Sequence, residues 1–444
     1  MPDSVSPPTA YEPPARLSAW LALAVLVGVT LFAFVDRQIL ALVAAPLQQS
    51  LGLSDLQLGA LQGLGLALFA AVASYPIGWL ADRFDRRLIL CGGILVWSCA
   101  TAACALQTSF PGLFISTIGI AIGEAGLQPI IWAVLADLFP GRQRATANSI
   151  FFAAGVLGLS AGLGISGAVF GWLTAHGAEL PAPFGTLEPW RATLLLVATP
   201  GPIFMVLVAL LKIGGSQRAR IAASQAVARA GGFAAYARRN LRTMACVYGA
   251  VAAYNIGVGS TLSWMPVALP RLFPVEPAEI GVQLSLALAV ASVVGVSLSA
   301  AAVKLWPGER VLAGLRVAGA AFLLAAVPTL LLPFVGASWQ AMALVGVQFA
   351  AGLAAAALMP GIVQEMSPPS LRARSIAIMV VVSALPLGIS PTLIGGLSEA
   401  IGGPRSLLIA IGLVGTPAWV LAALLNWLAE HPFRRTAAEV TGQA

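Results

Sequence analysis

Three ionisable side chains interrupt long apolar runs in this sequence. Asp36 and Arg37 are adjacent within LFAFVDRQILALV, and Glu124 stands within IGIAIGEAGLQP. A charge at the centre of a bilayer costs at least about 2.5–3.5 kcal/mol on insertion scales, so such residues are kept where they do work. Two carboxylates here face one guanidinium, and arginine stays charged at every relevant pH. Arg37 can balance one of them. The other is left in low dielectric beside a like charge, which favours its protonated form. A carboxyl held this way can take a proton from one side of a membrane and release it to the other as water access alternates. Glu124 is the candidate proton carrier, with Asp36 and Arg37 coupled to it. Interacting carboxylates titrate as a unit, so the roles of Asp36 and Glu124 are interchangeable at this stage. The plainer alternative is a structural ion pair, Arg37 neutralised by Asp36 or Glu124.

The elements that carry these charges are membrane spans. Of 444 residues, 59% are hydrophobic and 9% charged, against about 25% charged in a soluble domain. Apolar runs long enough to cross a bilayer, about 20 residues each, are expected at 18–47, 55–80, 88–107, 111–139, 144–174, 190–211, 241–270, 278–303, 311–332, 338–365, 372–399 and 404–428. Asp36 and Arg37 lie 16 and 17 residues past Trp20, about 24 Å along a helix. Glu124 lies 14 residues past Phe110 in a span running the other way, about 21 Å. The charges therefore reach similar depth.

Lys and Arg set the expected orientation. With the amino terminus inside, 20 of the 24 basic residues fall in inner segments, and only Arg191, Arg271 and Arg405 fall in outer ones. That asymmetry places both termini in the cytoplasm, and the location expected is a bacterial inner membrane. The net charge of +7 is thus spent on loops and does not point to nucleic acid. The four cysteines form no CxxC, and His176 and His431 are the only histidines, so no metal site, disulfide framework or cofactor is implied.

The expected organisation is a disordered tail over 1–16, a six-helix bundle over 17–211, a basic linker over 212–240, a second six-helix bundle over 241–428 and a tail over 429–444. The linker's end, GGFAAYARRN, reads either as a short interfacial helix or as solvated chain. The halves repeat at an offset of 228, which carries Asp137 to Glu365, Pro140 to Pro368 and Arg144 to Arg372. A parallel repeat of six helices suits two bundles rocking about a central site.

The turn after the second span reads GWLADRFDRR, Gly78 to Arg87. It resembles the signature loop of the major facilitator superfamily at Gly78, Leu80, Asp82, Arg83, Arg86 and Arg87, and departs from it at Asp85, where the pattern has Gly. The resemblance implies the all-α fold of twelve transmembrane helices in two six-helix bundles, and a cytoplasmic gate drawn from Gly78, Asp82, Arg83, Arg86, Asp137 and Arg144. In that gate Gly78 allows close helix approach, Asp82 faces the amino terminus of the eleventh helix, and Arg86 pairs with Asp137. A plain positive-inside loop would explain the arginines but not Asp82 or Gly78. FVDRQIL, GEAG followed by DLFPGRQR, and WMPVALPR in the seventh span together resemble the Spinster family of major facilitators. That family implies lysolipid or sphingoid-lipid transport in animals and proton coupling in bacteria. Its pattern often places an arginine seven residues before the GEA glutamate. Thr117 stands there in this sequence, so that either Arg37 serves both carboxylates or the coupling is altered.

Polar residues inside spans are candidates for the cavity lining, although a single one is as readily a satisfied interhelical hydrogen bond. The substrate-binding set is Arg37, Thr117, Gln128, Asn255, Ser263, Trp264 and Gln348. Mostly aliphatic walls with a buried arginine suit an amphipathic molecule whose anionic or zwitterionic head rests near Arg37. The function expected is a proton-coupled secondary transporter of a small amphipathic or lipid-like molecule, acting as a monomer among membrane lipids. A multidrug exporter or organic-anion symporter on the same scaffold is the alternative. A membrane enzyme is disfavoured, since no histidine lies in a span and no nucleophile–base pair is visible.

Overall fold

The computed structural model describes residues 16–139, 141–182, 184–211, 233–307, 309–368 and 371–441, apart from a few side chains, those of Asp82, Arg142, Arg144 and Arg310 among them. Twelve helices in it are long and apolar enough to cross a membrane. Spans 1 to 6 are Leu17–Leu42, Asp55–Ala81, Arg86–Leu106, Phe110–Leu135, Thr146–Glu179 and Pro189–Leu210. Spans 7 to 12 are Leu241–Leu262, Pro277–Leu305, Val311–Phe334, Ser338–Glu365, Arg374–Ile401 and Ser406–Val440. An even number of crossings returns the chain to the face where it began, here called the terminal face. Each expected run holds one span. Only helices and closed barrels satisfy every backbone group in hydrocarbon, and the apolar runs are too long for barrel strands.

Prolines break three spans where their missing N–H opens the hydrogen-bond ladder. Span 4 bends between Phe110–Ala125 and Leu127–Leu138. Pro129 cannot donate to Ala125, and the Ser74 hydroxyl lies 3.3 Å from that carbonyl. Glu124 is therefore the residue just before a kink. Span 7 ends at Leu262, and a second helix, Met265–Leu272, begins with Pro266 in its first turn. The expected single helix over 241–270 is thus two pieces. Span 10 restarts at Met359 beside Pro360.

The last helix, Ser406–Thr441, has 36 residues, about 54 Å, against a hydrocarbon core of about 30 Å. Its end projects from the terminal face, where a tail over 429–444 was expected. The projection is held because Phe433 and Ala437 bury against Met366 and the helix Phe233–Arg239. Thr436 also bonds Thr243 at 2.8 Å and Asn240 at 2.9 Å. The linker over 212–232 and the first tail, 1–15, lie outside the described residues.

Spans 1–6 pack mainly on one another, as do spans 7–12. Two seams join the bundles, span 2 against span 11 and span 5 against span 8. Without a hydrophobic drive between helices in lipid, association depends on close van der Waals packing. A Cβ on Gly63 would overlap the backbone oxygen of Gly388, and one on Gly167 would meet the backbone of Ala278 and Gly281. These glycines let bare backbones touch in the half of the molecule away from the terminal face. Span 2 also carries a π-turn over Ala60–Leu64 at this seam, a local distortion frequent at functional positions.

Candidate functional site

Successive residues on a helix point about 100° apart, so Asp36 and Arg37 face different neighbours. Arg37 crosses to span 4, where its Nε donates to Glu124 Oε2 at 3.2 Å and an Nη donates to the same oxygen. The arginine side chain is 54% exposed and that of the glutamate 4%. One end of the pair is exposed and the other buried. The second glutamate oxygen, Oε1, is buried with no hydrogen-bond partner among the described residues. Asp36 turns instead to span 3. It is fully buried, accepts from the Thr101 hydroxyl at 2.9 Å, and leaves Oδ1 without a partner among the described residues. The expected meeting of three charges is therefore an ion pair with one exposed end, with the third carboxylate buried on another helix face.

The same test divides the substrate candidates. Arg37 and Gln128 are exposed, with Gln128 one turn beyond Glu124 toward the terminal face, and Ser263 is half-buried. Thr117, Asn255, Trp264 and Gln348 are buried and bonded internally in this conformation. Thr117 donates to the Phe114 carbonyl at 2.8 Å, Asn255 to that of Val251 at 2.8 Å and Trp264 to that of Pro391 at 3.1 Å. Gln348 bonds Thr261 at 2.8 Å. The physical reason is common to all four. An unpaired polar group in hydrocarbon costs several kcal/mol, and neighbouring backbone carbonyls or a facing hydroxyl satisfy it without help from solvent.

Around the signature loop, Arg86 Nη1 lies 2.7 Å from Asp137 Oδ2, linking span 3 to the end of span 4. Arg83 stacks on Trp79, 3.9 Å from the ring centre. Asp85 caps the helix Arg86–Leu106 by accepting from Arg87 N at 2.9 Å, and it pairs with the Arg87 side chain at 2.7 Å. N-capping explains an aspartate where the family pattern has glycine. Gly78 faces open space rather than a close helix neighbour, which corrects its expected packing role in this conformation. The side chains of Asp82 and Arg144 lie outside the described residues.

A polar cluster at the face opposite the termini went unread in the sequence. Asp55, at the start of span 2, pairs with Arg271 at 2.5 Å and accepts from Gln48 and Ser398, each at 2.8 Å. One local signal was available. Ser54 and Gln57 form a capping box, the S-x-x-Q pattern that marks a helix start.

Twelve apolar helices in two bundles, joined along glycine seams and carrying an internal ion pair, define a polytopic membrane transporter. The model of the Major Facilitator Superfamily matches residues 26–318, and the chain belongs to that family. Its homologues and fold are those of transporters and not of enzymes. Over 94% of both chains it is 26% identical to an MFS-type efflux pump of Mycolicibacterium smegmatis. Over 151 residues, 32% of this chain and 27% of the relative, it is 35% identical to human protein spinster homolog 1. That match spans about a quarter of the animal protein. In structure it resembles a bacterial homologue of the human lysosomal transporter Spinster in its inward-facing, occupied conformation. The TM-score is 0.75 at 20% identity, over 97% of this chain and 99% of that one.

Proposed function

We propose that this chain is a proton-coupled secondary transporter that moves an amphipathic, lipid-like small molecule across a bacterial inner membrane by alternating access, with both termini cytoplasmic. The Arg37–Glu124 pair carries the reading. The named polar contacts between bundles gather at the face away from the termini, while the arginine end of the pair stays exposed. In this reading water reaches the pair from the cytoplasmic side. A proton arriving on Glu124 cancels the charge that holds Arg37, and the freed guanidinium can grip an anionic or zwitterionic head group. Bundle rocking then carries both to the other side, where loss of the proton restores the pair and expels the head group. Asp36 lies one helix face away, buried against Thr101 of span 3. The 17–211 and 241–428 bundles act as the rocking units, and Arg86–Asp137, with Asp82 and Arg144, belongs to the cytoplasmic gate.

The lipid-like substrate draws support from the resemblance to Spinster proteins, one of which, from mouse, is called a sphingosine-1-phosphate transporter. A second reading, export of drugs, is favoured by the end-to-end similarity to the mycobacterial efflux pump. Proteoliposomes under an imposed pH gradient separate the two when lysolipids, sphingoid phosphates, cationic drugs and organic acids are compared in one panel. Gradient-driven flux of the lipid class alone supports the first reading. Flux of drugs alone selects the second. Flux indifferent to the gradient removes proton coupling.

A further inference from the structure

Spans 2, 3 and 4 enclose a cavity of about 230 Å³ in the half of the molecule toward the terminal face. Its wall includes Ile77 and Leu80 of span 2, Leu88, Gly92 and Trp97 of span 3, and Gly123 of span 4. Leu88, Val96 and Ile122 on the same wall are exposed, so the cavity opens sideways onto hydrocarbon. Glycine makes the space. A Cβ on Gly92 would meet nothing within 4 Å. Gly93 and Gly123 instead let the backbones of spans 3 and 4 touch, since a Cβ on either would overlap the other helix.

The cavity lies against the bend that carries Glu124. Gly123 precedes that residue, and Gly126, also on the wall, separates the two helical pieces of span 4. Trp97 is fully buried and packs its ring against Phe32 of span 1, with centroids 5.8 Å apart.

Size and chemistry select the occupant. A buried water needs two to four polar partners, and the lining side chains are hydrocarbon apart from the Trp97 indole. A helix of a second copy, about 10 Å across, is too wide for the space. An engineered apolar cavity of about 150 Å³ takes benzene, so this larger one takes a stretch of alkyl chain. Direction agrees with size. Leu88 and Trp97 are nine residues apart, about 14 Å along span 3, and one leaflet of the hydrocarbon core is about 15 Å deep. Arg87 precedes Leu88, and Arg83 is exposed at the same end of span 2, at the level of a phospholipid's phosphate.

We infer that this cavity is a binding site for one acyl chain of a phospholipid in the leaflet at the terminal face, seated behind the bend of span 4 with its phosphate near Arg83 and Arg87. No hydrophobic drive presses helices together in lipid, and an unfilled cavity forfeits dispersion contacts along its whole wall. A seated chain restores them and braces the two pieces of span 4 on either side of Gly126. The inference needs the membrane fold and not the transport reading.

The test uses the full chain in vesicles of phosphatidylethanolamine and phosphatidylglycerol, with a small fraction of phosphatidylglycerol carrying a diazirine midway along one acyl chain. After irradiation, the adducts are mapped by mass spectrometry of peptides. Adducts on the stretches 88–97 and 122–130 should saturate as the probe fraction rises, while adducts on open lipid-facing helices rise in proportion to it. Gly92→Phe places a ring in the cavity and should lower those adducts about tenfold. Gly346→Phe is the control, because Gly346 lines a separate groove between spans 8 and 10 and its Cβ also meets nothing within 4 Å. It should leave the adducts on spans 3 and 4 unchanged. A proportional rise on 88–97 and 122–130 in the parent overturns the site, and that result needs no variant to fold. Adducts unchanged in Gly92→Phe, or lowered equally in Gly346→Phe, overturn it as well. A parent that shows saturating adducts but no transport would count against the transport reading and leave the site standing.

Discussion

Arg37→Ala isolates what the central ion pair is worth. Removing one partner of a buried pair costs about 3–5 kcal/mol, because the remaining charge is stranded. Here the arginine side chain is 54% exposed and the glutamate 4%, so half the pair is already screened. The hydrogen-bonded contact to a dry carboxylate then accounts for about 2–3 kcal/mol. Unfolding of the purified protein in detergent should therefore show Arg37→Ala destabilised by about 2–3 kcal/mol at pH 7. Adding Glu124→Gln should recover at least half of the loss at pH 7, since no charge is then stranded. A double variant no more stable than Arg37→Ala would refute the argument that the arginine serves to hold this carboxylate.

Asp137→Ala takes the carboxylate from an Arg86 side chain that is only 9% exposed. Stability should fall by about 1–3 kcal/mol, with part of the loss regained in Arg86→Met/Asp137→Ala; a fall as large in the double variant would show that the stranded Arg86 charge is not what the substitution costs. Glu188, just outside span 6, is held below the usual glutamate range by the Ser50 hydroxyl first and then by Arg191 and Trp190. A lowered folded value means its stabilisation is complete above about pH 4.3 and is lost as the pH falls through that lowered value, so acid unfolding should flatten in Glu188→Gln and stay unchanged if the contacts are idle. Gly388→Leu puts a side chain where Ala67 and the Gly63 carbonyl already touch. The seam between spans 2 and 11 should part, and a periplasmic cysteine-accessibility assay should report more outward-open protein; equal accessibility would mean the seam has slack.

The twelve spans were legible because lipid imposes a length and an apolar composition that few other demands produce. Their ends were less so. Nothing in composition marks where span 12 stops being membrane, since Phe433 and Ala437 bury against protein beyond the hydrocarbon as they would inside it. Pro266 and Pro129 could have announced the breaks in spans 7 and 4, because a missing N–H is a local matter. Facing was the harder problem. Asp36 and Arg37 are neighbours in sequence, yet adjacent helical residues do not share a face, and one faces Thr101 while the other reaches Glu124. The polar residues of spans 7 and 10 were ambiguous for a related reason, since Asn255 and Gln348 find partners within a turn or on the next helix. The Asp55–Arg271 contact joins residues 216 apart, a distance that no local pattern spans.

Glu124→Gln is the shortest route to the central claim. Glutamine keeps the size and one acceptor of the side chain and removes its charge and its titration. In proteoliposomes holding equal amounts of folded parent and variant, uptake driven by an imposed pH gradient should vanish in the variant, while exchange of substrate at equal pH persists. Gradient-driven uptake at the parent's rate in Glu124→Gln would contradict the account.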